Sequence, residues 1–129
     1  MENPLNDLTG AEWLYWTNSL YPTNFPPDLT HPLRKKHGAI KPPELMAEII
    51  SFFTKEGELV LDPFAGVGST LLGAELVKRR AVGIELNANW IRVYQEIMAT
   101  FRVGQEGFVR GKAGRAVPRL GQSVESRVV

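Results

Sequence analysis

The sequence predicts an α/β fold in which parallel strands lie against helices. Three observations lead there: two short, continuously apolar runs, three stretches whose apolar residues recur at helical spacing, and regular alternation of the two kinds between residues 43 and 101. The order helix, strand, helix, strand, helix implies parallel strands joined by a right-handed crossover. No internal repeat interrupts the order.

A further helix is expected ahead of this block, over residues 9–21. Thr9 followed three residues later by Glu12 is a capping-box pair, and Trp13, Leu14, Trp16, Leu20 and Tyr21 are spaced to share an apolar face. From Pro22 to Pro43, prolines at 22, 26, 27, 32, 42 and 43 read as extended connecting chain, because proline lacks an N–H and restricts the residue before it. Pro43 suits a first helical turn, Leu45, Met46, Ile49, Ile50 and Phe53 form the face of the next helix, and Gly57 ends it. Leu59-Val60-Leu61 reads as a strand buried on both faces. A Gly-rich turn at 64–68 leads into a helix from about Thr70 to Arg79, with Lys78, Arg79 and Arg80 placed to complement the negative end of its dipole. Ala81-Val82-Gly83-Ile84 is the second buried strand. Asn87 or Asn89 caps the last helix, whose stripe is Trp90, Ile91, Val93, Tyr94, Ile97, Met98 and Phe101. Past Arg102 the periodicity stops. The chain therefore divides into an N-terminal helix with a Pro-rich connection (1–36), an α/β module (37–103) and a basic, Gly-rich flexible tail (104–129).

Composition narrows the range of functions. The chain is 43% hydrophobic, yet no run approaches the ~20 apolar residues of a membrane span. The start Met1-Glu2-Asn3-Pro4 resembles neither a signal peptide nor a transit peptide, so a cytoplasmic location is expected. With no cysteine there is no disulfide framework, thiolate metal site or cysteine nucleophile, and two histidines argue against structural zinc. The net charge of +1 is unevenly spread. Residues 42–101 hold five Lys/Arg against eight Asp/Glu, and residues 102–129 hold six against two. A basic tail beside an acidic domain suits nucleic-acid contact through counterion release, and equally suits a solvated tail.

The segment Asp62-Pro63-Phe64-Ala65-Gly66-Val67-Gly68-Ser69-Thr70 connects the first strand to its helix. In an open α/β sheet, ligands bind beyond the carboxyl ends of the strands, where this loop lies. Its glycines let the backbone turn sharply and approach a ligand with no Cβ in the way. Glu85 ends the second strand 23 residues after Asp62, placed to accept hydrogen bonds from both hydroxyls of a ribose. Together these residues predict an adenosine-containing cofactor. A nicotinamide site prefers Gly-x-Gly-x-x-Gly, and here Gly66-Val67-Gly68 is followed by Ser69, Thr70 and Leu71 with no third glycine. The P-loop lysine is also missing. A carboxylate directly after the strand suits a cofactor with a cationic amino group better than a pyrophosphate. An unpaired carboxylate at a strand end is costly, which favours a functional role for Asp62.

Asp62-Pro63-Phe64-Ala65-Gly66-Val67-Gly68-Ser69-Thr70 resembles the first motif of the DNA methyltransferases that modify exocyclic amino groups of adenine or cytosine, Asp-Pro-Phe-x-Gly-x-Gly-Thr. Upstream, His37-Gly38-Ala39-Ile40-Lys41-Pro42-Pro43-Glu44-Leu45 resembles the family's His-x-x-x-Lys-Pro-x-x-Leu element, which packs over the methionine end of the cofactor. Downstream, Arg80 to Asn87 resembles the stretch that ends on the ribose-binding acid. The likeness covers His37 to Phe101, about half the chain, with three motifs in order. It implies a partial Rossmann-like fold with an incomplete sheet, and S-adenosylmethionine as cofactor. By that resemblance Asp62 and the backbone of Phe64, Ala65, Gly66 and Gly68 hold the methionine part, with Pro63, Ser69 and Thr70 in the same site. Glu85 binds the ribose, Leu86 lines the adenine, and Lys41 and Pro42 shape the roof. Lys41 also reads as a solvated residue before a helix, and Ser69 and Thr70 as helix caps.

The family's second motif is Asp/Asn/Ser-Pro-Pro-Tyr/Phe/Trp, which holds the target amino group and stacks on the flipped base. The pairs Pro26-Pro27 and Pro42-Pro43 lack both the polar residue before and the aromatic after, so no catalytic residue is nominated. Two strands also fall short of the family's seven-stranded sheet. The resemblance therefore implies the cofactor-binding part of a DNA methyltransferase, with a second polypeptide or a lost segment supplying the catalytic and target-recognition parts. The alternatives are a non-catalytic cofactor- or DNA-binding subunit of a split enzyme, a nicotinamide-dependent oxidoreductase, and methylation of RNA or protein. If DNA is the partner, Arg34, Lys35 and Lys36 are placed to meet its phosphates.

Overall fold

The computed structural model describes residues 3–17, 32–101 and 126–128. Helix α1 (Gly10–Trp16) is followed by a 3-10 helix (Pro32–His37), then α2 (Pro43–Phe53), β1 (Leu59–Asp62), α3 (Ser69–Leu76), β2 (Arg80–Gly83), α4 (Ala88–Phe101) and β3 (Ser126–Val128). The strands form one parallel sheet in the order β1-β2-β3, with Leu61 opposite Val82 and Val82 opposite Arg127. The α/β alternation between residues 43 and 101 is as the sequence predicts. The third strand is not: it falls in the expected tail, whose residues 104–125 lie outside the described part.

Local chemistry sets the element ends. Thr9 and Glu12 form the capping box, with Thr9 N donating to Glu12 Oε2 at 2.9 Å and Glu12 N to Thr9 Oγ1 at 3.4 Å. Trp13 and Trp16 pack on Phe52 of α2, at ring-centroid distances of 5.1 and 6.2 Å. Helix α1 stops at Trp16, short of the expected Tyr21, and Leu14 points outward instead of joining the apolar face. Leu20 and Tyr21 lie outside the described residues, as do positions 22–31 of the Pro-rich connection. Within the described part of that connection, Pro32–His37 is a 3-10 helix and not extended, whereas 38–42 carry no helix.

Pro43 opens α2 as expected, but the helix ends at Phe53, where Thr54 Oγ1 turns back to donate to Ile50 O at 2.6 Å. Gly57 does not end the helix. It takes φ +83° in the turn that leads into β1, and its N–H donates to Lys78 O. Helix α3 closes with paired bonds from Lys78 N to Glu75 O and from Arg79 N to Ala74 O, around a left-handed Lys78 at φ +59°. This stops the helix three residues before Arg79, so the expected cations lie beyond its last turn. Arg79 is instead buried, its guanidinium held by Thr54 Oγ1, Thr54 O, Val77 O and the carboxylate of Asp7. Asn87 caps α4, accepting from Asn89 N at 2.9 Å, and Tyr94, Ile97 and Met98 of the expected stripe are buried.

One core joins Ile50 of α2, Leu71, Leu72 and Ala74 of α3, Ala81 of β2 and Tyr94 and Met98 of α4, with Met46 and Val60 against it. All three long helices thus cover one face of the sheet, the face of Val60 and Ala81. On the other face Leu59 and Leu61 are exposed, and Ile84 lies past the end of β2, also exposed. The expectation of a strand buried on both faces fails for β1 for this reason, whereas in β2 Val82, opposite Leu61, is half-buried.

Helices α2 and α3 meet at Gly73. A Cβ there would stand 2.6 Å from Met46 Cβ and 2.7 Å from Pro43 O, closer than packed atoms approach. Alanine is the better helix former by about 1 kcal/mol, yet Gly73→Ala is expected to destabilise the chain by about 1–3 kcal/mol through overpacking. The urea midpoint followed by circular dichroism checks the sign.

Candidate functional site

The carboxyl ends of β1 and β2 lie side by side, and the loop from Asp62 to Gly68 folds over them. Ala65 N donates to Ile84 O at 3.0 Å and Ile84 N to Asp62 O at 2.8 Å, tying the loop to the residue after β2. Asp62 Oδ1 accepts from Phe64 N at 2.9 Å. The Asp62 carboxylate is therefore partly satisfied by its own turn, a local role that the strand-end position alone does not reveal. Gly66 and Gly68 take left-handed φ values of +54° and +81°. A Cβ on Gly68 would enter the ring of Tyr94, 2.2 Å from Cδ2, so only glycine fits where α3 begins.

Glu85 is the residue that binds this site together. Its Oε2 accepts from Gly66 N at 2.8 Å and its Oε1 from Asn87 N at 2.7 Å. The sequence places loop and carboxylate at neighbouring strand ends, and the structure brings them into contact. Phe64 and Leu86 stand out into solvent on either side, Leu86 completely, while Ala65, Gly66, Val67 and Gly68 are buried. Pro63 is exposed at the outer bend.

The upstream element reaches the loop by a different residue from those expected. Lys41 is exposed, and what it contributes is its carbonyl, which accepts from Arg34 Nη2 at 3.2 Å; Pro42 is half-buried at the start of α2. The residue over the loop is His37. Its Nε2 lies 3.2 Å from where a Gly66 Cβ would be, its ring meets Trp90 edge-on at 4.8 Å, and its buried Nδ1 has no hydrogen-bond partner. The motif that contains His37 was the signal available for it. Ser69 and Thr70 do not cap α3, whose N-cap is Gly68. Ser69 Oγ accepts from Arg34 Nη2 at 2.6 Å, and Thr70 Oγ1 faces Met46 Sδ at 3.8 Å.

Arg34 is fully buried. It ties the 3-10 helix to Lys41 O and to the first residue of α3, so it cannot meet a phosphate as the charge run suggests; Lys35 and Lys36 remain exposed. Arg34→Met is expected to cost about 2–3 kcal/mol, because it strips charged hydrogen bonds from a buried site. Lys35→Met and Lys36→Met should leave the urea midpoint where it is, and the three melts together separate the roles.

The Gly-rich strand-to-helix loop and a carboxylate just past the next parallel strand are bonded to each other at the carboxyl edge of the sheet, where ligands of open α/β sheets bind. The family model described as DNA methylase matches residues 4–96. The chain belongs to this family, the methyltransferases of N6-adenine and N4-cytosine. It is 36% identical over 107 residues to the putative methylase YubD of Escherichia coli K12, a match covering 82% of this chain and 39% of that protein. It is 51% identical over 51 residues to the type II methyltransferase M.HindIII of Haemophilus influenzae, covering 40% of this chain and 16% of the relative. The type II methyltransferase M2.DpnII of Streptococcus pneumoniae is 40% identical over 58 residues, 45% of this chain and 22% of the relative. The chain thus spans well under half the length of the curated relatives it matches. Among the described residues, no helix is long and apolar enough to cross a membrane.

Proposed function

We propose that this chain is the S-adenosylmethionine-binding part of a DNA methyltransferase acting on an exocyclic amino group in the cytoplasm, and that a second polypeptide completes it. The observation that carries the reading is the Glu85–Gly66 contact, which brings a ribose-type acid and a left-handed glycine cradle to one sheet edge.

The residues fit the group. Asp62 uses one carboxylate oxygen in its own turn and keeps the other for a cationic amino group. The backbone of Phe64 to Gly68 comes close to a ligand without side chains in the way, and Pro63, Ser69 and Thr70 fix the bend and the first helical turn. Each Glu85 oxygen already accepts one N–H and has capacity for a second donor, so the two together suit vicinal hydroxyls. Leu86 and Phe64 supply exposed apolar surface for the adenine. His37 forms the roof, with Lys41 and Pro42 behind it, and its Nδ1 awaits a polar atom of the ligand. When bound, the cofactor supplies an electrophilic methyl group. This chain's own residues bind and orient it and exclude water from the loop. Contact with DNA is left to Lys35, Lys36 and the basic tail.

Calorimetric titration of the full chain with S-adenosylmethionine is expected to give saturable binding. Glu85→Gln keeps an acceptor for Gly66 N but replaces one ribose-facing acceptor with a donor, and should weaken binding about tenfold or more. Asp62→Ala should weaken it comparably. Tight binding of NAD with none of S-adenosylmethionine would overturn the reading.

A further inference from the structure

Two buried guanidiniums hold helix α3, one at each end. Arg79 follows its last turn and bonds Thr54, Val77 O and Asp7, away from the Gly-rich loop. Arg34, with no exposed surface, lies at the front. Its Nη2 donates to Lys41 O at 3.2 Å and to Ser69 Oγ at 2.6 Å, so one nitrogen ties the upstream element to the first residue of α3. One turn further along the same 3-10 helix, His37 lies over Gly66.

The direction of the Ser69 bond follows from its chemistry. A guanidinium carries only N–H donors, so Ser69 Oγ accepts and its own hydrogen turns away from Arg34. Among the described residues, nothing accepts that hydrogen. The neighbouring Thr70 differs, for its hydroxyl is engaged with Met46 Sδ at 3.8 Å. Ser69 is half-buried and directly follows Gly68, the last residue of the loop. Its hydroxyl is therefore held as a donor beside the loop, with a positive charge shielded from solvent behind it.

We infer that Arg34 is a positioning residue for the amino-acid end of the cofactor: it fixes Ser69 as the donor to the carboxylate there, without touching the cofactor itself. The inference rests on the proposed cofactor function and gives Arg34 and Ser69 their parts in it. A carboxylate is the partner that this pair prefers. A hydrogen bond to an ionised acceptor is stronger than one between neutral groups, and a guanidinium out of water attracts an anion more than one on the surface. The ammonium and sulfonium of the same ligand end are cations, which neither a hydroxyl hydrogen nor a guanidinium attracts. Asp62 takes the ammonium, so the two charges of the amino acid fall to two different groups.

The test is calorimetric titration of the full chain with S-adenosylmethionine and, separately, with methylthioadenosine, which keeps the adenosine and lacks the amino-acid end. Arg34→Met, Ser69→Ala, their double variant and Arg79→Met are compared with the native chain, each under conditions where its melt shows it folded. Arg34→Met and Ser69→Ala should each weaken S-adenosylmethionine about tenfold or more. The double variant should lose little beyond either single one, because both remove the same bond. Affinity for methylthioadenosine should stay within about twofold of native in all of them. Arg79→Met strips a buried guanidinium from the far end of the same helix and should leave both affinities unchanged.

A Ser69→Ala chain that binds S-adenosylmethionine as the native chain does overturns the inference. That variant removes only a half-buried hydroxyl, so it reports even where Arg34→Met does not fold. Equal weakening of both ligands by Arg34→Met also overturns it, as does a loss in Arg79→Met that matches the loss in Arg34→Met, since the guanidinium then serves the fold alone. Additive losses in the double variant are a third contrary result. Each of these leaves the cofactor function standing, because the native chain still binds. A native chain that binds neither ligand sinks the cofactor function, and this inference with it.

Discussion

Helix α3 holds the Gly-rich loop in place only because it lies almost in backbone contact with α2. Gly73 permits that approach, and the loop at the front of α3 inherits its position from it. The same helix gives Leu71, Leu72, Ala74 and Leu76 to the core, and its end is locked by Lys78 and the buried Arg79. At its front, Gly68 clears the ring of Tyr94 on α4. Two glycines therefore set the helix-to-helix distances on both sides of one short element. The site is as rigid as those distances.

The other anchor is electrostatic. A guanidinium with no exposed surface holds the 3-10 helix to Lys41 O and Ser69 Oγ, and this carries His37 over Gly66. Burying such a charge is unfavourable unless its hydrogen bonds are well placed, which explains why the segment is helical where its prolines predict extended chain. Arg34 joins the upstream motif to the loop motif, although 28 residues separate Arg34 from Asp62.

Much of this was legible in the sequence. The capping box of α1, Pro43 at the head of α2, the α4 stripe and the loop between β1 and α3 follow from spacing and residue type. The illegible parts share one cause: they depend on what lies opposite a residue in space. Leu59-Val60-Leu61 reads as buried on both sides because the pattern reports hydrophobicity, and only the arrangement of helices shows that one side is bare. Arg34 looks like its lysine neighbours until its burial is known. Gly57 looks like a helix stop and is a strand entry, since Thr54 ends the helix first. In the site, the sequence brings Glu85 near the loop but does not show its bond to Gly66, and His37 stands in a quoted motif without a role.

The exposed leucines of β1 follow from where the helices pack. A parallel sheet owes its burial to crossovers, and each crossover covers the face it passes over. Every described helix that packs on this sheet lies on one side, so no described part of the chain covers the other. Apolar residues on that other face are left uncovered by the described elements. Leu59 and Leu61 thereby forgo the gain of about 1.5–3 kcal/mol that full burial brings a leucine. Leucine at both positions therefore marks the one described face of the sheet on which apolar side chains remain exposed.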